Sequence, residues 1–279
     1  MRDIKYSKNV LRLQLVTLAM MLFVLVASAQ SKSRELQPTI KTAFATPDGY
    51  ERHNQDDYST WLINHPLKED IIVKYYDGRI KPNNNVYAAV FNYDIGKRDL
   101  HQCADAAIYL RASYHYSTGQ LAKLQYTFTN GKVSSYIGYL NGDRIRILAN
   151  GTDSKVSRGK ARRDSCTTFR KWLDQVWMYA GTYSVGKFDT KAVNIMDMKP
   201  GDLFVQGGFP GHIISVVDMA KNKKGHTVYM LAQSYMPAQE NQILVNQATG
   251  GVWYSLDEMS YVDTPEFVFE NSQLRRFNN

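Results

Sequence analysis

Four residues of the chain have the types and positions that cysteine-based chemistry needs. Cys103 and Cys166 each fall in the first turn of a predicted helix, where unpaired N–H groups and the helix dipole lower the pKa of a thiol. His212 opens a predicted strand directly after Pro210-Gly211, and Gln233 ends the next strand. A thiolate, a histidine that exchanges protons with it and a polar group that orients the imidazole together perform acyl transfer. We therefore expect Cys103 to be the nucleophile, with Cys166 in reserve. His212 is the expected base and acid, and Gln233 is the expected orienting group.

The pairing of two strands supports a contact between His212 and Gln233. If the turn is centred between Asn222 and Lys223, the two residues lie directly opposite each other. If the turn spans Asn222 to Gly225, they are diagonal neighbours on the same face. In either case their Cβ atoms lie roughly 5–8 Å apart. Only a one-residue bulge between the strands would separate them.

Two helices are predicted to carry the cysteines. Asp99 is the expected cap of a helix that runs to about Tyr116, with His101 in its first turn. Asp164 or Ser165 is the expected cap of the second helix. Apolar residues at spacings of three and four place each cysteine on the buried stripe of its helix: Leu100, Cys103, Ala107, Leu110 and Tyr114, then Cys166, Phe169, Trp172, Leu173 and Val176.

Strands and Gly/Pro-rich turns occupy most of the remaining chain. The clearest hairpin spans 124–137 around Asn130-Gly131, and residues 144–148 are expected to extend its sheet. Further strands are predicted at 71–76, 86–93, 203–205, 212–218, 227–232 and 266–269, with a short helix at 58–63. This pattern predicts an α+β fold with a mainly antiparallel sheet and packed helices.

The first 29 residues have the organisation of a secretory signal peptide. A basic start is followed by an apolar run and then by Ala27-Ser28-Ala29. An N-terminal membrane anchor is the alternative. The mature chain is expected to be one α+β domain (30–279), with an N-terminal lobe (42–98) and a core (99–279). It would be exported to the periplasm or cell envelope, without a membrane span after cleavage.

Charge and residue spacing argue against several other classes of protein. Removing residues 1–29 lowers the net charge from +8 to +5. Part of the excess lies in a basic run, 158–163, which is expected to be a solvated loop rather than a nucleic-acid site. The six histidines have no HExxH-type spacing, and two cysteines are too few for a Cys-based zinc site. We expect no metal, no cofactor and no nucleic-acid partner.

Structural roles for the same cysteines and histidine are the alternatives. A cysteine on an apolar helix face commonly serves as a small buried hydrophobic residue, and a single histidine in a strand is commonly structural. Export would also permit a Cys103–Cys166 disulfide, which would exclude both as nucleophiles.

The segments 199–205 (KPGDLFV) and 211–217 (GHIISVV) resemble the PGDL…HVGIYVG region of NlpC/P60-type cysteine peptidases. That resemblance covers about 40 residues and implies a papain-like core that cleaves peptide bonds in peptidoglycan. It assigns the catalytic histidine to His212 and the third residue to Gln233. Those enzymes carry Asp-Cys-Ser-Gly where this chain has 164–167 (DSCT), with Cys166 displaced by one position.

A second resemblance covers nearly the whole mature chain. The stretches DIGKRDLHQCADAAIYLRASY, GDLFVQGGFPGH and AQSYMPAQ are similar to an uncharacterised family of exported bacterial proteins. The family signature includes Cys103 but has no cysteine at the position of Cys166. This chain has His101 and Ser113 where the family usually has Gln and Glu. The resemblance implies a fold and a compartment but no reaction.

These observations together predict an exported cysteine peptidase or amidase that acts on peptidoglycan peptides. Gly208 and Gly211 are expected to let the substrate backbone approach closely, and Tyr235 to contact the substrate. Arg111, two turns beyond Cys103, would meet a substrate carboxylate or form a surface ion pair. The alternative function is a non-catalytic cell-envelope protein on the same fold that binds through the loop 233–239.

Overall fold

The computed structural model describes residues 37–53, 56–256 and 261–279. Residues from Pro38 onward form one compact unit, and the predicted signal peptide lies outside the described residues. The helices are α1 (Ile40–Ala43), α2 (Asp57–Ile63), α3 (Cys103–Ser117), α4 (Tyr136–Leu140), α5 (Cys166–Tyr179) and α6 (Thr182–Ser184). Within these ranges, none of the helices is long and apolar enough to cross a membrane.

Fifteen strands occur in the described ranges, most of them short. They are β1 (Tyr50–Arg52), β2 (Tyr87–Val90), β3 (Gln125–Thr127), β4 (Val133–Ser135), β5 (Asp143–Ile147), β6 (Ser154–Arg158), β7 (Thr190–Ala192), β8 (Leu203–Gln206), β9 (His212–Asn222), β10 (Thr227–Gln233), β11 (Gln242–Leu244), β12 (Tyr254–Ser255), β13 (Tyr261–Asp263), β14 (Val268–Glu270) and β15 (Leu274–Phe277). Short 3-10 helices cover Leu121–Lys123, Ile195–Asp197 and Asn271–Gln273, and a π-helical turn covers Val185–Asp189.

The main sheet has the order β2-β11-β10-β9-β8-β15-β7, with β1 paired to β9 and β12 paired to β10. The pairings between these strands are antiparallel. Three further antiparallel pairs, β3–β4, β5–β6 and β13–β14, form separate two-stranded sheets. The predicted α+β class with a mainly antiparallel sheet is confirmed.

Strand β9 is buried on both faces, which accounts for its nearly unbroken apolar sequence. Ile213 packs with α3 and α5 on one side, in a core that includes Ile108 and Trp172. Ile214 packs on the other side, in a core that includes Phe269 of the β13–β14 hairpin. His212 opens this central strand, so its position is fixed by the two cores that hold the strand.

A bulge in the β9–β10 pair decides where Gln233 points. Near the turn, Met230 is paired with Asp218; the register then shifts by one residue, and Ala232 is paired with Ser215. Without the shift, Gln233 would face Ser215 and lie on the opposite face from His212. The prediction that a bulge would separate the two residues is wrong, because this bulge moves Gln233 onto the face of His212.

Helix α3 begins later than predicted. Asp99 and His101 precede the helix, and Cys103 is its first residue. Asp105 accepts a hydrogen bond from the backbone N–H of Gln102 (3.0 Å), which satisfies one donor at this end. Asp99 instead accepts from the backbone N–H of Ala238 (2.7 Å) and ties the loop after β10 to this helix end.

Helix α5 begins where the sequence predicts. The Ser165 hydroxyl accepts a hydrogen bond from the Thr168 N–H (3.1 Å) and caps the helix. Phe169, Trp172, Leu173 and Val176 are buried as expected. Cys166, however, is exposed, so its assignment to the buried stripe is wrong.

Other strand predictions need correction. Residues 71–76 form only isolated bridges, at Lys74 and Tyr75, rather than a strand. Strand β5 pairs with β6 and does not extend the β3–β4 hairpin. Strand β15 was not predicted, because Arg275 and Arg276 interrupt its apolar pattern. Arg276 belongs there because it forms a bidentate pair with the buried carboxylate of Asp202 (2.6 and 2.8 Å).

Candidate functional site

A cleft of about 590 Å³ opens where α3 begins, beside the loops that precede β9 and follow β10. Its lining includes five of the residues predicted to form the site: Cys103, His212, Gly208, Gly211 and Tyr235. Cys103 and His212 are far apart in the sequence. They lie in the same cleft because α3 packs on the face of the central sheet that contains Ile213. The fold therefore brings the predicted nucleophile and the predicted base to one cavity.

The predicted contact between His212 and Gln233 is present. His212 Nε2 and Gln233 Oε1 lie 2.7 Å apart, and both side chains are buried. The amide nitrogen of Gln233 donates to a carboxylate oxygen of Glu266 at 2.6 Å. Because the amide nitrogen is used by Glu266, the amide oxygen faces the imidazole and accepts from Nε2–H. His212 is then the Nε2–H tautomer, with the lone pair on Nδ1.

Cys103 combines a helix start with a buried environment. The backbone N–H of Ile213, the residue after His212, hydrogen-bonds the Cys103 sulfur and favours the thiolate. Burial is the larger effect and, with the nearby Asp105, raises the pKa of the thiol to about 11. The expectation that the helix start lowers this pKa is therefore wrong, since desolvation outweighs the backbone donors.

Burial also sets the charge of His212. It lowers the pKa of the imidazole to about 4; the hydrogen bond to Gln233 opposes this shift, and the charge of Lys81 adds to it. At neutral pH the site therefore holds a neutral thiol and a neutral imidazole. This resting state differs from a preformed thiolate–imidazolium pair.

Cys166 lies outside the cleft. It is exposed at the start of α5, next to the Tyr116 hydroxyl, and is not among the residues that line the cavity. Both cysteines are free thiols, so the predicted alternative of a Cys103–Cys166 disulfide is wrong. The structure gives Cys166 no position from which to replace Cys103 in this cavity.

Arg111 also lies apart from the cleft lining. Its guanidinium donates to the backbone oxygen of Asn279 and stacks over the rings of Tyr58 and Tyr114, at 4.7 and 5.8 Å from their centroids. These contacts assign Arg111 a structural role rather than the predicted role of binding a substrate carboxylate. None of the described residues that line the cleft is Lys or Arg.

The two predicted glycines have different roles. A Cβ atom on Gly211 would lie 2.4 Å from both the Gly208 carbonyl oxygen and the Thr182 hydroxyl, so the loop closes only with glycine there. Gly208 has a φ of +104° and no heavy atom near its Cβ position, which indicates a turn residue facing open space. Gly211 shapes the cleft wall, whereas Gly208 leaves room at its rim.

Three residues of the site were not found from the sequence. Phe267 lies 5.1 Å from the His212 ring, centroid to centroid, and Tyr235 makes a similar contact at 4.7 Å. Glu266 is the partner of Gln233, and Lys81 is in turn the partner of Glu266 (2.6 Å). No local pattern could identify the last pair, because the two residues are 185 positions apart.

The rim of the cleft is apolar. Phe209 is 99% exposed, Met236 58% and Met178 44%, and all three line the cavity. The acidic residues in the lining are Asp99 and Asp105. The cleft therefore suits an uncharged or apolar ligand better than an anionic one.

The described residues contain no group of three or more His, Cys, Asp or Glu side chains placed to hold a metal ion. The chain belongs to the family DUF4846, a domain of unknown function, which matches residues 40–276. Membership in an uncharacterised family is thereby confirmed. No curated protein and no solved structure matches the chain.

Proposed function

We propose that the protein is a cysteine hydrolase, a peptidase or amidase, with Cys103 as its nucleophile. The observation that supports this most strongly is the pairing of a helix-start cysteine with a histidine of defined tautomer in one cleft. The N–H of Ile213 contacts the sulfur and belongs to the residue after His212, which keeps the thiol close to the base. Gln233 orients the imidazole.

The proposed reaction starts from the neutral pair. Nδ1 of His212 takes the thiol proton as the sulfur of Cys103 attacks the carbonyl carbon, giving a tetrahedral oxyanion and an imidazolium. The imidazolium returns the proton to the leaving nitrogen as the C–N bond breaks, and an acyl-thioester forms. A water molecule then gives a proton to His212 and attacks the thioester, which releases the acid and restores the thiol.

The protonation of the resting site predicts a broad pH profile. In the active form, Cys103 and His212 together hold one transferable proton, which lies either on the sulfur or on Nδ1 of the imidazole. Activity should rise as the pH increases through about 4, where His212 loses its second proton. It should fall only near pH 11, where Cys103 would lose the shared proton. The expected profile is flat between pH 6 and 9.

The proposed substrate is a peptide amide bond with an uncharged or apolar residue beside it. The apolar rim of Phe209, Met236 and Met178 supports this choice, as does the absence of Lys and Arg from the described cleft lining. Peptidoglycan peptides are the proposed natural source, on the resemblance of residues 199–217 to wall-active peptidases. Export, proposed from residues 1–29, is tested by sequencing the N-terminus of the protein recovered from the cell envelope.

The test is hydrolysis of purified peptidoglycan and of a fluorogenic peptide-amide library by the chain from residue 30 onward. Cys103→Ala and His212→Ala should each abolish hydrolysis, while Cys166→Ala, the matched control, should keep it. Mass spectrometry should detect an acyl group on Cys103 during turnover. Equal hydrolysis by the wild type and the Cys103→Ala variant would refute the assignment.

A non-catalytic binding protein is the second candidate. It is favoured by the exposed Phe209 and Met236 at the cleft rim and by the high pKa of the Cys103 thiol. On this alternative the wild type retains wall fragments without cleaving them, and Cys103→Ala binds with unchanged affinity. A Phe209→Ser and Met236→Ser double variant would lose binding.

A further inference from the structure

A chain of short contacts continues beyond Gln233. Gln233 Nε2 donates to Glu266 Oε2 at 2.6 Å, and the Lys81 ammonium contacts the same oxygen at 2.6 Å. The Lys81 side chain is 4% exposed and that of Glu266 17%. A buried lysine is rare without a specific partner, and Glu266 is the partner here. Four polar residues, from Lys81 to His212, therefore form one continuous network in which only Glu266 is partly exposed.

Glu266 determines which end of the Gln233 amide faces His212. A primary amide can present either its oxygen or its nitrogen to a neighbouring imidazole. If the nitrogen faced His212, it would donate to Nε2, and the imidazole proton would move to Nδ1. That tautomer has no lone pair on Nδ1 to accept a proton from Cys103. An ionised carboxylate only accepts hydrogen bonds, so Glu266 can pair only with the amide nitrogen.

Lys81 supports the orientation of the Gln233 amide through its contact with Glu266. A protonated Glu266 could donate to the amide oxygen and reverse the orientation of Gln233. The Lys81 ammonium lies 2.6 Å from the same Glu266 oxygen that accepts from Gln233, so its positive charge faces that acceptor directly. Lys81 is held in place by its own backbone, since its N–H donates to the Val73 carbonyl oxygen at 2.9 Å.

We propose that Glu266 and Lys81 are positioning residues that set the tautomer of His212 through Gln233. Neither lines the cleft, so their effect is on the base and not on the substrate. The effect of these two residues on turnover rests on the proposed function. The tautomer itself is a property of the folded protein and can be measured without any substrate.

The direct experiment is NMR of the intact mature protein labelled with ¹⁵N-histidine, in which two-bond correlations identify the protonated ring nitrogen. Wild type should show His212 as the Nε2–H tautomer at pH 7. Glu266→Gln, which has nearly the same shape, should give a mixture or the Nδ1–H tautomer. Glu270→Gln, the same change at an exposed position of the same hairpin, is the matched control. Lys81→Met should shift the tautomer in the same direction as Glu266→Gln.

Kinetics supply the second readout, on the substrate found for the wild type. Glu266→Gln should lower kcat by roughly ten- to a hundredfold with little change in KM, as for other groups that orient a reacting residue. In a Gln233→Ala background, Glu266→Ala should have no further effect on kcat, because the two residues act in series. A merely structural role would instead give additive losses.

Unchanged His212 tautomers in folded Glu266→Gln and Lys81→Met would overturn the proposal. An inactive wild type with the expected tautomer changes would refute the hydrolase function and leave the positioning network intact. If Glu266→Ala does not fold, the near-isosteric Glu266→Gln decides the question alone, with its fold checked by circular dichroism and thermal melting.

Discussion

The pH dependence of Cys103 alkylation tests the electrostatics of the site most directly. The folded thiol has a pKa of about 11, against an ordinary value of 9.0. At pH 8 the thiolate fraction is then about 0.001 instead of about 0.1, a hundredfold loss. A more basic thiolate is also a better nucleophile, by about tenfold over this range. The loss of thiolate is the larger effect, so folded Cys103 should react roughly tenfold more slowly than the same residue in unfolded protein.

The assay uses iodoacetamide with the Cys166→Ser variant, so that Cys103 is the one reactive thiol, at pH 6–10. The logarithm of the folded-state rate should rise by about one per pH unit up to pH 10, while the rate in denaturant should level off above about pH 9. His212→Gln should not lower the folded-state rate, since no ion pair exists to be lost.

A rate plateau at low pH that disappears in His212→Gln would show a preformed thiolate–imidazolium pair. The conclusion that burial dominates at Cys103 would then be wrong, although the hydrolase proposal would gain support. No labelling of folded protein even at pH 10 would show that the thiol is inaccessible, and that result would contradict the assignment of Cys103 as nucleophile.

Three further predictions concern stability. Gly211→Ala forces a Cβ atom to within 2.4 Å of two oxygens and should cost about 2 kcal/mol in urea unfolding, whereas Gly181→Ala, whose Cβ would meet no heavy atom within 4 Å, should be near neutral. Arg111→Ala should cost about 1–2 kcal/mol without changing the alkylation rate of Cys103. Burial lowers the pKa of His212 to about 4 and that of His101 to about 3, below the ordinary 6.5. Their contribution should be complete above pH 6.5 and fall by about 2 kcal/mol per histidine by pH 5, which urea unfolding at pH 7 and 5 measures.

The contact between His212 and Gln233 could be predicted because it depends on local features. Turn residues define the hairpin, and the two-residue repeat of a strand defines the faces. The bulge after Met230 could not be predicted, because the register shift is not marked by a Gly or Pro in β10. The predicted contact is present in the diagonal arrangement, but the register that gives it arises from this bulge and not from the turn alone.

The charge state of Cys103, by contrast, could not be predicted from local features of the sequence. Its place at a helix start was predicted to within a few residues, and this suggested a lowered pKa. The environment of the thiol depends on how deeply α3 is buried against the sheet, which no segment of the sequence specifies alone. The partners Lys81 and Glu266 were missed for the same reason, since they meet only in the complete fold.

The separation of Lys81, Gln233 and Glu266 along the chain has a consequence for folding. Loops that span more than 30 residues must close before the network can form, and such long-range contacts are slow to assemble. During synthesis the N-terminal segments emerge first, so His212 has no fixed tautomer until the β13–β14 hairpin has emerged and packed. The proposed hydrolase would therefore gain a competent base as one of its last folding events, after both ends of the network have been brought together.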